Sequence, residues 1–345
     1  MKQKPFKPTT ILITGGAGFI GANFIRYYLD ACPEAKLINL DKLTYAGSNN
    51  NLADIDSDNL LFIRGDIGDY DLVLNLLKKY EINTIINFAA ESHVDRSINE
   101  PLLFAKNNVT GTASLLEAAR TYWLTERKLQ SHECLFYQIS TDEVFGSLEF
   151  NDLPCTENQN YQPRSPYSAS KAAADHFVYA YQHTFGLPVV LSHCSNNYGP
   201  YQHAEKFIPT IINACLNWRP IPIYGQGINV RDWIYVEDHC KAIHQVLLNG
   251  HLGESYNIGA DNQLSNNDLA KEICVLMDLH YPAKKSYTSL ITYVTDRLGH
   301  DLRYALDVTK MRQELNWQAQ ESLQIGLMKT INYYKSIHQP KPLLV

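Results

Sequence analysis

The 345-residue chain lacks any apolar run approaching the ~18 residues that a membrane-spanning helix needs. Its first residues, Met1-Lys2-Gln3-Lys4-Pro5-Phe6-Lys7, carry the charge of a secretory leader but have no apolar segment behind them. Cysteine is scarce in any useful pattern. The seven residues at 32, 134, 155, 194, 215, 240 and 274 are odd in number and show no CxxC spacing. A disulfide framework or structural zinc site is therefore not expected, and a reducing cytoplasm suits the composition. The twelve histidines form no HExxH or HxH, so no metal centre is expected either. Basic charge is not in excess: 30 Lys and Arg against 36 Asp and Glu leave a net charge of −6. That balance argues against general nucleic-acid binding, though it leaves room for local basic pockets. Internal repeats, low-complexity segments and Pro/Ser-rich linkers are also missing.

What the chain does have is 45% hydrophobic residues, ample for a large core. Short β-branched runs alternate with helical patterns. Strands are expected at Thr10–Thr14, Leu37–Leu40, Leu60–Arg64, Thr84–Phe88, Leu135–Ser140 and Val189–His193. These runs are continuously apolar, as in strands buried on both faces. Helices are expected near 19–31, 70–80, 101–123 and 167–185. Such a βαβα order predicts an α/β fold with a doubly wound parallel sheet. Beyond 195, Pro200, Pro209, Pro220 and Pro222 interrupt the pattern, and shorter, irregular elements are expected.

Thr14-Gly15-Gly16-Ala17-Gly18-Phe19-Ile20-Gly21 follows the first strand and opens the first helix. Glycines there permit a tight turn, close approach to a pyrophosphate and tight helix–strand packing, and the helix N-terminus favours anions. Asp41 follows the second strand, twenty residues after Gly21. A carboxylate there can hold ribose hydroxyls and repels a 2′-phosphate, so NAD is expected rather than NADP. The sheet is thus of the Rossmann type, with 1–195 as the NAD-binding domain. Part of 228–260 could return to it. Residues 196–335 form a smaller substrate lobe, and 336–345 a loosely held tail. Asp66 follows the third strand, where it could meet the adenine or cap the next helix.

Tyr167-Ser168-Ala169-Ser170-Lys171 sets Tyr and Lys four apart, on one helix face. A neighbouring ammonium favours phenolate, so the pair can take a proton from a substrate hydroxyl as hydride leaves to NAD. Ser140-Thr141-Asp142-Glu143 ends the fifth strand, where substrate sits in such sheets. Two carboxyls in unlike surroundings can divide acid and base work between them. Beside a freshly oxidised sugar, a base can remove the acidified C–H while an acid helps a β-hydroxyl leave as water.

These motifs resemble those of the extended short-chain dehydrogenase/reductase superfamily. More narrowly, DKLTYAG (41–47), AAESHVDRSI (89–98), STDEVFG (140–146), SPYSASKAAADH (165–176), CSNNYGPYQ (194–202) and RDWIYVEDH (231–239) resemble the dTDP-glucose 4,6-dehydratase family. The likeness spans about residues 10 to 335. It implies dehydration of dTDP-glucose to a 4-keto-6-deoxy sugar, with NAD regenerated in each cycle. Tyr167, assisted by Lys171 and Thr141, would deprotonate the 4-hydroxyl, Glu143 would take the C5 proton, and Asp142 would protonate the leaving C6 hydroxyl. It also implies NAD contacts at Phe19, Ile20, Asp41, Lys42, Leu43, Thr44, Asp66, Ile67, Ala89, Ala90 and Asn197. Nucleotide-sugar contacts are implied at Ser92, Thr141, Asn196, Lys206, Arg231, Asn266, Asp296, Arg297 and His300. Arg231 suits a diphosphate, or else an ion pair with Asp232; Tyr224 could stack on the base, or else lie in the core. A homodimer through helices 101–123 and 167–185 is implied as well. Three residues depart from the family pattern: Phe145 for Tyr, Asn107 for Thr and Leu298 for Pro. The competing readings are a UDP-glucose dehydratase, a 4-epimerase and a non-catalytic NAD sensor.

Overall fold

The computed structural model describes residues 6–338; Met1–Pro5 and the tail beyond His338 lie outside the described residues. Its strands are β1 (Thr10–Thr14), β2 (Lys36–Asp41), β3 (Leu60–Arg64), β4 (Thr84–Asn87), β5 (Leu135–Thr141), β6 (Val189–Cys194), β7 (Asn196–Tyr198), β8 (Ile221–Tyr224), β9 (Val230–Tyr235), β10 (Ser255–Ile258), β11 (Gln263–Ser265) and β12 (Ile291–Val294). Seven of them form a parallel sheet in the order β3-β2-β1-β4-β5-β6-β10. The winding direction reverses between β1 and β4, which opens a crevice at their carboxyl ends.

The alternation of side chains along β1 explains the layering. Ile11 and Ile13 face one side, with Phe24 and Ile25 of α1 (Phe19–Ala31). Leu12 faces the other, with Val73 and Leu77 of α2 (Tyr70–Lys79). Between α2 and β5 lie α3 (Val94–Asn99), α4 (Pro101–Phe104) and α5 (Gly111–Ala119). Two loosely wound π-type segments, Ala105–Thr110 and Arg120–Glu126, extend the helical path from Pro101 to Glu126. Trp123 in the second segment is fully buried and donates its indole N–H to the Ile82 carbonyl at 2.8 Å. Trp123→Ala is expected to cost about 3–5 kcal/mol through the cavity and the orphaned carbonyl. A urea titration reads that loss as a lower midpoint.

Helix α6 (Pro166–Phe185) has clear sequence punctuation. Ser165 caps it in a reciprocal box with Ser168, Pro166 stands in its first turn, and Gly186 ends it at φ 70°.

Beyond residue 195 the expected short elements are met in the strands β7, β8, β11 and β12, of three or four residues each, but not in the helices. The helices α7 (Phe207–Leu216), α8 (Val236–Asn249), α9 (Asn266–His280), α10 (Thr309–Leu315) and α11 (Leu323–His338) are regular, and α8, α9 and α11 run to 14, 15 and 16 residues. Pro209 is the third residue of α7, inside the first turn where no intrahelical donor is required. Pro222 lies in β8, which pairs only with β12 in a two-stranded sheet. These prolines therefore punctuate regular structure without ending it. A separate core joins α7, α9 and α11 through Ile208, Ile211, Leu269, Ile273, Leu327 and Ile331. Strands β7, β9 and β11 form a three-stranded sheet beside it.

Candidate active site

A cleft of about 290 Å³ opens at the carboxyl ends of the central strands. The glycine loop forms one wall. Gly15 sits at φ +69°, and a Cβ there would lie 2.7 Å from the Ala89 backbone. A Cβ on Gly21 would lie 2.5 Å from the Gly15 carbonyl oxygen. Neither position tolerates a side chain, so the close approach of α1 to the loop depends on both. Asp41, buried at the end of β2, accepts hydrogen bonds from the Ala17 N–H (2.9 Å) and the Leu43 N–H (2.7 Å). Burial pushes its carboxyl up, and those two N–H groups oppose the shift.

Most of the expected cofactor positions meet in this wall: Gly15, Gly18, Phe19, Ile20, Gly21, Asp41, Lys42, Thr44, Asp66, Ile67, Ala89, Ala90 and Asn197. Leu43 does not. It turns through φ 57° and contributes its backbone N–H to Asp41. Asp66 is not the cap of α2; Asp69 is, through the Leu72 N–H. Asp66 instead pairs with Lys42 at 2.6 Å and accepts from the Gly68 N–H.

The opposite wall carries Thr141, Asp142, Glu143, Tyr167 and Lys171. Thr141 ends β5 and caps a tight turn over Asp142–Phe145, accepting from the Glu143 N–H. Its hydroxyl donates to Asp142 Oδ1 at 3.2 Å, while Asp142 Oδ2 is buried without a protein partner. Burial, followed by the Glu143 carboxylate, pushes the Asp142 carboxyl far above its ordinary range. Glu143 is also pushed up by burial, but Arg297, Arg231 and Lys206 pull it back. The two neighbours thus sit in unlike fields: Asp142 favours the acid and Glu143 is the readier base.

Tyr167 and Lys171 project from α6 into the same cleft. The Lys171 ammonium donates to the Ile139 carbonyl at 2.7 Å. The expected lowering of the phenol does not appear among the protein groups alone. Burial and then Glu143 push Tyr167 well above 10, and burial pushes Lys171 down.

The chain matches the family model described as GDP-mannose 4,6 dehydratase over residues 12–330. The dTDP-glucose 4,6-dehydratase of Xanthomonas campestris pv. campestris (strain B100) is 48% identical over 329 residues, covering 94% of this chain and 93% of that one. This chain belongs to the dTDP-glucose 4,6-dehydratase family. Solved members agree. The enzyme from Streptomyces venezuelae, with NAD and TYD bound, superposes with a TM-score of 0.86 at 41% identity, covering 95% of this chain and 97% of that one. The enzyme from Bacillus anthracis, in complex with NAD, gives 0.85 at 41%, covering 96% and 97%.

In this member of the dTDP-glucose 4,6-dehydratase family, the expected sugar-nucleotide positions fall into two groups. Ser92, Thr141, Asn196 and Lys206 line the cleft, and Lys206 donates to the Ser92 carbonyl at 2.8 Å. Tyr224 on β8, Arg231 on β9, Asn266 on α9, and Asp296, Arg297 and His300 after β12 stand outside its lining. His300 pairs with Asp296 at 2.7 Å, and its ring meets the Tyr224 ring edge-on at 6.3 Å. Tyr224 is partly exposed on a sheet edge, not in the core. Arg297 approaches Asp95 of α3 at 3.9 Å. Arg231 has no ion pair with Asp232. Its guanidinium donates to the carbonyls of Val230, Leu302 and Asp301 and lies over the Tyr304 ring. Asp232 is engaged elsewhere, by the N–H groups of Ala260 and Asn262. Asn266 begins α9, its N–H on the Asn229 carbonyl.

Sequence reasoning missed Glu91, Gln202 and His203, which also line the cleft. Glu91 is buried; its sequence signal is an acid placed directly after the apolar end of β4 and Phe88-Ala89-Ala90. The other two lie on a loop with no periodicity to flag them. Of the three departures, Asn107 lines the cleft and donates to Glu91 at 3.0 Å. Phe145 is buried against Tyr161 and His193, and Leu298 is exposed. Among the described residues, no cluster of His, Cys, Asp or Glu could hold a metal ion.

Proposed function

We propose that the chain removes water from dTDP-glucose to give dTDP-4-keto-6-deoxyglucose, with NAD as cofactor. The observation that carries this reading is the unequal Asp142–Glu143 pair beside Tyr167. A 4-epimerase has no task for an acid and a base paired beside the tyrosine.

The glycine cradle and Asp41 fit NAD: the N-terminus of α1 would hold its pyrophosphate and the Asp41 carboxylate its ribose hydroxyls. When bound, NAD supplies the hydride chemistry: acceptance from C4 and return at C6. Tyr167 takes the proton of the 4-hydroxyl, with Lys171 favouring phenolate and Thr141 orienting the hydroxyl. Glu143 removes the C5 proton, which the 4-ketone has acidified. Asp142 delivers its proton to the C6 hydroxyl, which leaves as water, and C5 is then reprotonated. Arg231, held by three carbonyls, presents a fixed guanidinium to the diphosphate, with Lys206 and Arg297 adding positive charge. In this reading residues 1–195, with part of 228–260, hold NAD, and 196–335 hold the nucleotide sugar.

Purified protein offered dTDP-glucose and UDP-glucose in parallel tests the proposal. Loss of water by mass, with the alkali-induced absorbance of a 4-keto sugar, is expected from dTDP-glucose. Turnover of UDP-glucose alone overturns the nucleotide assignment, and no water loss from either overturns the reaction. Asp41→Ala is expected to weaken NAD binding by about ten- to a hundredfold, the worth of charged hydrogen bonds, and to narrow the gap to NADP. Calorimetric titration with each dinucleotide reads both effects.

The assembly is read as a homodimer through helices 101–123 and 167–185. Leu102 is 83% exposed, and Leu103 and Phe177 are also solvent-facing, an apolar face that a second copy would cover. A monomer mass in sedimentation equilibrium counts against it. No helix among the described residues is long and apolar enough to cross a membrane, and all seven thiols are free. Both observations suit the cytoplasmic compartment assigned here.

A further inference from the structure

Tyr167, Lys171 and Asp175 follow one another at four-residue spacing on α6, so their side chains form a row along one face. Exposure falls along it, from 8% through 5% to 0%. Asp175 lies at the closed end, behind the reactive groups. We infer that Asp175 is the buried counter-charge of the Tyr167–Lys171 pair and decides which of the two carries their shared proton. The inference rests on the dehydratase reading of the site.

The contacts of Asp175 gather on one carboxylate oxygen, Oδ2, while Oδ1 is buried without a protein partner. From β5, the Ser140 hydroxyl donates to its Oδ2 at 2.5 Å. From the loop before α6, the Tyr161 hydroxyl reaches Oδ2 at 3.4 Å and His193 Nε2 at 2.7 Å. His193, on β6 opposite Ser140, lies 3.8 Å from the same oxygen. Burial pushes that imidazole down to about 3, so it is neutral and supplies no charge. Tyr179, one turn further along α6, is a phenol pushed up by burial and is also neutral. Lys171 is therefore the cation acting on Asp175, and Asp175 is the foremost influence raising Lys171 against its desolvation.

Geometry sets the sign. Asp175 is one step of four residues from Lys171 and two from Tyr167, about 6 Å and 12 Å along the axis. Its negative charge favours an ammonium at Lys171 more than it disfavours a phenolate at Tyr167, since the interaction falls with distance. One proton shared between two coupled groups is thereby steered onto the lysine, leaving Tyr167 as the base. A neutral residue at 175 lets the proton return to the phenol. Burial pushes the Asp175 carboxyl up to about 6, so the counter-charge is present above that pH and withdrawn below it.

The test is the pH dependence of kcat for dTDP-glucose dehydration by the NAD-loaded enzyme. Asp175→Asn is expected to lower kcat about tenfold above pH ~7 with KM unchanged. The wild type should fall through an inflection near pH ~6 toward the variant, so that the two converge at low pH. Asp175→Glu should restore both plateau and inflection. A ratio of wild type to Asp175→Asn that stays constant with pH means a merely structural role and overturns the inference. Should Asp175→Asn fail to fold, Tyr161→Phe is read instead. Losing a hydrogen bond, the carboxyl keeps its proton to higher pH, so the inflection must move up; an unmoved inflection also overturns the inference. A wild type that makes no 4-keto sugar sinks the dehydratase reading itself, a result distinct from either of these.

Discussion

Glu143→Gln is expected to lower water loss from dTDP-glucose by about 10²–10⁴, the usual worth of a positioned base. The substitution keeps shape and removes only the ability to accept a proton. Oxidation at C4 depends on Tyr167 and should persist, so the missing step is removal of the C5 proton. Exchange of that proton with deuterated solvent should disappear along with product. Asp142→Asn is expected to reduce water loss by a similar factor for the opposite reason. Burial and the Glu143 carboxylate keep Asp142 protonated, and the asparagine has no acidic proton to give. The two variants part company on a substrate whose C6 group leaves without protonation. A dTDP-glucose analogue with halide at C6 should restore elimination in Asp142→Asn and not in Glu143→Gln. Rescue of Glu143→Gln by the halide would reverse the two roles. Activities of both variants within tenfold of wild type would remove the acid pair from the mechanism.

How well the sequence could be read depended on what each signal reports. The parallel strands were legible because Ile11-Leu12-Ile13 and its counterparts are apolar on both faces, a pattern that only a covered sheet requires. The glycine loop was legible because steric need fixes residue type there, as Gly15 and Gly21 show. After residue 195 the prolines suggest breaks that the helices do not show. Pro209 in a first helical turn and Pro222 in a two-stranded sheet break nothing. Leu43 stands outside the cleft lining, its backbone N–H turned onto Asp41 at a positive φ. The field that separates Asp142 from Glu143 could not be read from their adjacency. It comes from Lys206 and Arg297, brought in from a loop and a distant turn, which act on Glu143, while Arg231 acts on both carboxyls. Likewise adjacency suggests an ion pair between Arg231 and Asp232. In a strand, however, successive side chains point to opposite faces, and the two residues serve different sides.

Tyr167→Phe and Lys171→Met should both lose activity at neutral pH, and their pH profiles should differ in kind. The phenylalanine has no proton acceptor at any pH, so kcat is expected to fall by about 10²–10⁴ and stay low throughout. In Lys171→Met the phenol remains but loses the cation that favours its ionised form. Its surroundings already oppose ionisation, through burial first and the Glu143 carboxylate second. At neutral pH very little phenolate exists, and the variant should be nearly as slow. Each unit of rising pH then multiplies the phenolate by about ten, so kcat should climb with a slope near one until the fold gives way. The climb should survive the addition of Asp175→Asn, because with the lysine gone the counter-charge has no ammonium left to favour. Stopped assays of 4-keto product across the alkaline range, with far-ultraviolet spectra to mark the limit of folding, read both variants. Parallel flat profiles would mean that Lys171 acts by binding alone. Parallel climbing profiles would mean that the proton leaves the 4-hydroxyl by a group other than Tyr167.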